Sequence, residues 1–232
     1  MNKDIYELSY TMKKDLHQKI SFAFVLIFSA LLITNLILVF VIFPVRQTSV
    51  SMQPDIPKES CVMFTPLNRN FKRGSVVLLK KRSAEKTSLF ENVSNSVINF
   101  CTARQFSPFL SNKYMGNSEQ IRRVIGIPGD EIYMRDYVMY IKPKGEKFFL
   151  TEFELIEKNY NVEINSAPAL WDGSLGASGS FETITLAENE YFVLGDERNS
   201  AVDSRLWGVI TNKNIKASAL FVYLPVNKFK FF

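Results

Sequence analysis

Three separated points of this chain carry groups that could do chemistry together. Ser51 lies in Ser49-Val50-Ser51-Met52-Gln53-Pro54, just past an apolar run, and Arg122 opens Arg122-Arg123-Val124-Ile125-Gly126-Ile127-Pro128-Gly129-Asp130. Further on, Gly195-Asp196-x-Arg198 precedes Asp203-Ser204-Arg205-x-Trp207-Gly208. A serine hydroxyl is a weak nucleophile near neutral pH and needs a positioned base to take its proton. Lysine serves when burial disfavours its charge and lowers its pKa by about 3–5 units from roughly 10.4. Donors aimed at the developing oxyanion supply much of the remaining stabilisation. Arginine starts from about 12.5–13.8 and holds its proton. Taking about 13, a neutral arginine at pH 7 costs about 8 kcal/mol, against the roughly 3–5 kcal/mol that a positioned base contributes. Ser51 therefore has a nucleophile's setting, and Arg122 is no base by that route. Each segment alone is bland: a serine before a proline turn is usually structural, and Gly126-x-Pro128-Gly129-Asp130 reads as a hairpin turn. The information is in their combination.

The elements that must hold these groups begin with a membrane anchor. Ile20 to Phe43 carries no charge, and Ser21, Ser29, Thr34 and Asn35 are its only polar residues. Roughly 20 such residues cross a bilayer as a helix. The run is longer than a signal-peptide core and exits into Pro44-Val45-Arg46 without a small-residue cleavage site, so it reads as a retained transmembrane helix over 20–43. Lys13, Lys14 and Lys19 precede it, and the positive-inside rule then puts segment 1–19 in the cytoplasm and residues 44–232 outside it.

Beyond the anchor the pattern is that of a mainly β domain. Strands are expected at Val76–Leu79, Arg123–Gly126, Glu131–Tyr133, Tyr137–Ile141, Tyr191–Leu194 and Ala219–Leu224, with turns at Gly129-Asp130 and Met134-Arg135-Asp136. Two polar stretches, about 83–119 and 143–188, read as loop or cap insertions. The net charge of +5 fits a basic surface near anionic headgroups. The one dense basic run, Lys80-Lys81-Arg82, ends a strand, so no nucleic-acid partner is expected. Cys61 and Cys101 are the only cysteines and His17 the only histidine, which makes no metal set; whether the two cysteines pair is left open.

The joint pattern resembles the bacterial type I signal peptidases, membrane-bound serine endopeptidases of the Ser/Lys type. The resemblance covers about Ser49 to Tyr223. It implies a signal-peptidase-like β domain with Ser51 as nucleophile, and with Ser49 and the Ser51 backbone N–H as the oxyanion hole. Asp203 and Arg205 would support the site as an ion pair, and Met52 and Ile121 would wall a substrate pocket for small residues. It implies no cofactor and no metal. The partners would be the signal peptides of exported preproteins, the lipid bilayer and, in some settings, a second signal peptidase subunit. The place would be a bacterial cytoplasmic (inner) membrane, crossed once. Arg73-Gly74-Ser75 looks like the family's Arg-Gly-Asp strand with serine in place of Asp.

Arg122 stands where the family has its lysine base. Ala201 stands where the family often has a supporting serine, with Ser200 beside it. Lys80, Lys81 or a second subunit could supply the base, whereas His17 precedes the membrane helix and cannot. The expectation is a signal peptidase cleaving after small residues. The alternative is a catalytically silent paralogue that binds signal peptides or an active peptidase.

Overall fold

The computed structural model describes residues 2–80, 119–164 and 179–232. Helix α1 spans Asn2–Phe40, and its segment Met12–Leu38 is long and apolar enough to cross a membrane once, its apolar 18-residue window having a mean hydropathy of 2.4. At 1.5 Å per residue that segment is about 40 Å long, more than the roughly 30 Å of bilayer hydrocarbon. Two of its polar residues bond back to the helix itself: Ser29 Oγ donates to Leu26 O and Asn35 Nδ2 to Leu31 O, both at 2.9 Å. Such bonds satisfy polar groups where lipid offers no partner. The helix stops short of the apolar run expected to form it. Phe43 is already paired with Phe64 in a strand. Pro44 explains this, because a residue before proline is pushed out of the helical region into extended backbone.

The described residues from Val41 onward belong to a separate compact unit. Its larger sheet contains β1 (Phe43–Arg46), β2 (Cys61–Thr65), β3 (Val76–Leu79), β4 (Gln120–Gly126), β9 (Glu190–Leu194), β10 (Ile210–Thr211) and β11 (Ile215–Leu224). The strand order is β1-β2-β11-β3-β4-β9-β10, and β12 (Lys230–Phe231) pairs with β11. A smaller sheet has the order β7-β6-β5-β8, from β5 (Glu131–Arg135), β6 (Val138–Lys142), β7 (Leu150–Thr151) and β8 (Phe181–Thr185). The fold is mainly β, preceded by one long apolar helix.

Expected and observed strands differ in one instructive place. Tyr137 was expected inside a strand, but with Asp136 it forms the hairpin turn, at φ 65° and 50° respectively. Arg135 pairs directly with Val138, and a two-residue hairpin of this hand needs positive φ at both central positions. The turn is held by Tyr137 N–H donating to Gly179 O at 2.8 Å. Cys101, Lys81 and much of both expected insertions lie outside the described residues; the described part of 143–188 supplies β7 and β8.

Apolar residues fill both faces of the larger sheet. Val76, Leu78 and Ile121 join Met52, Ile56, Val62 and Phe64 in one cluster, while Val77, Leu79, Val124 and Val193 join Phe71 and Ile215 in another. This double burial is why β4 is buried from Ile121 to Gly126, its two arginines included.

Candidate functional site

The site forms where β4 outruns its neighbour. The β4–β9 pairing begins at Arg123↔Leu194, so Arg122 lies beyond the last paired residue of β9. On the other side it stays in register with Val77 of β3. The chain after β9 then runs alongside: Val202 O accepts from Arg122 Nε at 2.9 Å and from Nη2 at 2.7 Å. Nη1 donates to Ile121 O at 2.5 Å and to Ser51 Oγ at 2.9 Å.

Ser51 is brought there by a turn anchored in the core. Gln53 N–H donates to Val50 O and Ile56 N–H to Met52 O, which curls 50–56 tightly. Met52 and Ile56 are fully buried beneath it. Each such burial contributes about 1.5–3 kcal/mol, enough to pin the turn. Ser51 O accepts from Glu197 N–H at 3.2 Å, which ties the turn to the loop after β9. Met52 and Ile121, expected as walls of a substrate pocket for small residues, are 0% and 2% exposed. Both belong to the apolar cluster that also holds Ile56, Val62 and Phe64.

Among the described residues, three side chains reach the Ser51 hydroxyl. Besides Arg122, Ser49 Oγ lies at 2.9 Å and Gln47 Nε2 at 3.4 Å; Gln47 Nε2 also donates to Ser49 Oγ at 3.2 Å. Gln47 is buried and fixed by its backbone, which continues the β1–β2 pairing through bonds with Ser60 O and Glu59 N. Nothing in the sequence singles it out. Its one signal is a polar residue directly after a short strand, within reach of a Ser-x-Ser pair. Lys80, a candidate base from sequence, ends β3 exposed.

The two adjacent arginines are in opposite electrostatic situations. Arg123 points to the other face of β4, with Nε and Nη2 on Asp196 at 2.7 and 2.6 Å, Nη2 on Asp55 at 3.1 Å and its guanidinium 4.0 Å from the Tyr160 ring centroid. Burial pushes its pKa down, but Asp196, Tyr160 and Asp55 outweigh that and raise it. Lys230 of β12 also holds Asp55, at 2.7 Å. Arg122 has no carboxylate among its hydrogen-bond partners, which are two carbonyls and a hydroxyl. Burial pushes its guanidinium down from 12.5 to about 10, with Asp203 and then Asp196 opposing and Arg205 assisting.

Asp203 and Arg205 brace the carbonyl that holds Arg122. Arg205 Nη2 and Nε donate to the two Asp203 oxygens at 2.8 and 2.9 Å, and Gly195 N–H donates to Asp203 Oδ2 at 3.1 Å. Asp203 caps the short helix α2 (Ser204–Trp207) by accepting from Arg205 N–H. Both side chains are almost fully buried. Asp203→Ala should therefore destabilise the chain by about 3–5 kcal/mol, since it strands a buried guanidinium. Thermal melting of the full chain in detergent checks this; a variant that melts with the wild type would remove the pair from the framework.

Gly195 is needed for closeness. A Cβ there would sit 2.3 Å from Ala201 Cβ and 2.6 Å from Ser51 O. Gly195→Ala must push the Ser51 turn away from the loop, with an expected cost of about 1–3 kcal/mol. The same melting experiment reads it, and an unchanged midpoint would mean the two segments separate freely. Ser200 takes no part at Arg122: its Oγ and N–H both bond Glu197.

The comparisons with known proteins bear on this arrangement. The family model "Signal peptidase, peptidase S26" matches residues 20–224, from the membrane helix to the end of β11. The chain belongs to this family. Among curated signal peptidases it is 32% identical over 111 residues to signal peptidase I S of Bacillus subtilis strain 168, covering 47% of this chain and 54% of that one. It is 31% identical over 115 residues to signal peptidase I of Bacillus licheniformis, covering 49% and 55%. Signal peptidase IB of Staphylococcus aureus strain MRSA252 is 25% identical over 128 residues, covering 53% and 61%. The chain thus spans about half the length of the curated relatives it matches. A crystal structure of a signal peptidase I from Enterococcus faecalis V583 aligns with 64% of this chain and 96% of its own, at 20% identity and a TM-score of 0.32. Signal-peptidase membership and one long apolar helix make this a membrane-associated signal-peptidase-like protein.

Proposed function

We propose that this protein takes the signal peptides of exported preproteins into the Ser51 cleft and leaves them essentially uncut at neutral pH. On this reading Arg122 occupies the lysine-base position, Ser51 is the nucleophile and Ser49 with the Ser51 N–H forms the oxyanion hole. Asp203 and Arg205 support the site, and Met52 with Ile121 forms its floor. The domain lies outside the cytoplasm of a bacterial cell, anchored by α1 with its N-terminus inside.

The observation that carries the reading is the donor on Ser51: Arg122 Nη1 gives a hydrogen bond to the hydroxyl at 2.9 Å. Gln47 donates to it as well. The third neighbour, Ser49, is a neutral hydroxyl, far too weak a base to take the proton at pH 7. Burial makes the arginine less costly to deprotonate than in water. With a pKa of about 10 the neutral form costs about 4 kcal/mol at pH 7, from three units at roughly 1.36 each. A positioned base contributes only about 3–5 kcal/mol, so the two cancel at neutral pH. This same shift favours a second reading for alkaline conditions, in which Ser51 and neutral Arg122 act as a slow peptidase that cuts after small residues.

Binding and cutting separate in one experiment. The full-length protein in detergent is mixed at pH 7 with a preprotein and, separately, with its mature form. Retention of the intact preprotein alone is expected, with Ser51→Ala binding equally well. Failure to retain the preprotein, or prompt Ser51-dependent cleavage at pH 7, would refute the proposal.

A further inference from the structure

The hydrogens at the site are ordered by groups that can only donate. Arg122 Nη1 and Gln47 Nε2 have no lone pair to offer, and both point at Ser51 Oγ. A hydroxyl oxygen has two acceptor positions, so both are filled. The Ser51 O–H must then turn to its remaining neighbour, Ser49 Oγ at 2.9 Å. Ser49 Oγ also receives the other Gln47 N–H at 3.2 Å. With its own acceptor positions filled, Ser49 has to direct its hydrogen away from the cluster, and Ser49 is exposed.

The relay thus ends in an outward-facing donor. Behind it stands a buried guanidinium whose hydrogen-bond partners, among the described residues, are carbonyls and a hydroxyl. A donor relay backed by a buried cation suits an anion, whereas a nucleophile about to lose its proton needs the opposite polarity.

We infer that the Ser49–Ser51 cleft binds the C-terminal carboxylate of a peptide ending in small residues. One carboxylate oxygen takes the Ser49 hydrogen, where the oxygen of a scissile carbonyl would otherwise sit. Such an end is what an endopeptidase releases when it hydrolyses a peptide bond after a small residue. The reaction that supplies this ligand is therefore signal-peptide cleavage by an active enzyme, and this chain receives its product. The inference rests on the signal-peptide reading of the cleft and adds that the released, free-carboxylate form is held more tightly than the intact preprotein.

Two versions of one peptide with an Ala-x-Ala end test it, one with a free C-terminal carboxylate and one with a C-terminal amide. Their affinities for the full-length protein in detergent are measured at pH 7 by fluorescence anisotropy. The carboxylate is expected to bind at least tenfold more tightly. Gln47→Met and Arg122→Gln should each bring that ratio to within about twofold. Equal affinities in the wild type would overturn the inference while leaving signal-peptide binding standing. Binding of neither peptide would overturn both. A preference that survives in both variants would also overturn it, by moving the anion elsewhere. The wild-type comparison decides even if a variant does not fold.

Discussion

Arg122→Lys is expected to gain Ser51-dependent cleavage of a preprotein with a small-residue site, by about 10²–10⁴-fold over the wild type at pH 8. The scaffold around the position favours this. Ile121 and Val202 already present carbonyl oxygens to a cationic side chain, and the Ser51 hydroxyl lies within hydrogen-bond reach of it. Burial lowers the arginine from 12.5 to about 10. The same burial acting on lysine's starting value of roughly 10.4 brings the neutral amine within reach of neutral pH. An amine that has lost a proton has one lone pair to offer, and a serine hydroxyl can donate to it. The gain should vanish when Ser51→Ala is added. Cleavage that survives in the double variant would come from another group, and absence of any gain would mean that Arg122 does not limit the site.

The wild type itself should show a steep pH dependence. Below about 10 the guanidinium is charged, and its neutral fraction rises tenfold with each pH unit, from roughly 10⁻³ at pH 7. Any cleavage through Ser51 with Arg122 as base should follow that line, gaining about 10³-fold between pH 7 and 10. The sign for stability runs the same way. A folded pKa depressed below the unfolded 12.5 makes the buried charge a cost at all pH values below about 10, relieved as the pH rises through 10. From pH 7 to about 10, where activity should rise, that cost stays constant, so this group leaves stability unchanged as the pH is raised. In Arg122→Lys the rise should move to lower pH and reach its plateau earlier. A wild-type rate that is flat from pH 7 to 9.5 would exclude Arg122 from the proton transfer.

Much of this architecture is legible in the residues, and the exceptions have physical causes. Val76–Leu79 and Tyr191–Leu194 are short apolar runs bounded by turn residues, and they form strands because both sheet faces are covered. The strand at Phe43–Arg46 begins at the last residue of the hydrophobic run, where only Pro44 betrays the change. Tyr137 carries strand chemistry but lies in the turn because the hairpin register leaves two residues between Arg135 and Val138. At the site, the resemblance singled out Arg122, yet the residues alone could not say how its surroundings differ from those of Arg123. Strand alternation puts their side chains on opposite faces of β4, and only one of those faces holds Asp196 and Asp55. Gln47 was illegible because its role depends on where two later serines fold back, a relation that no local pattern encodes.

The central claim, that a protonated Arg122 keeps Ser51 silent, is tested most directly by one cleavage assay. Wild type, Ser51→Ala and Arg122→Lys, each full-length in detergent, are given a preprotein with an Ala-x-Ala site at neutral pH. The account predicts that the wild type cuts no faster than Ser51→Ala, while Arg122→Lys releases mature protein. A wild type that cuts as fast as Arg122→Lys, and loses that activity in Ser51→Ala, would contradict it.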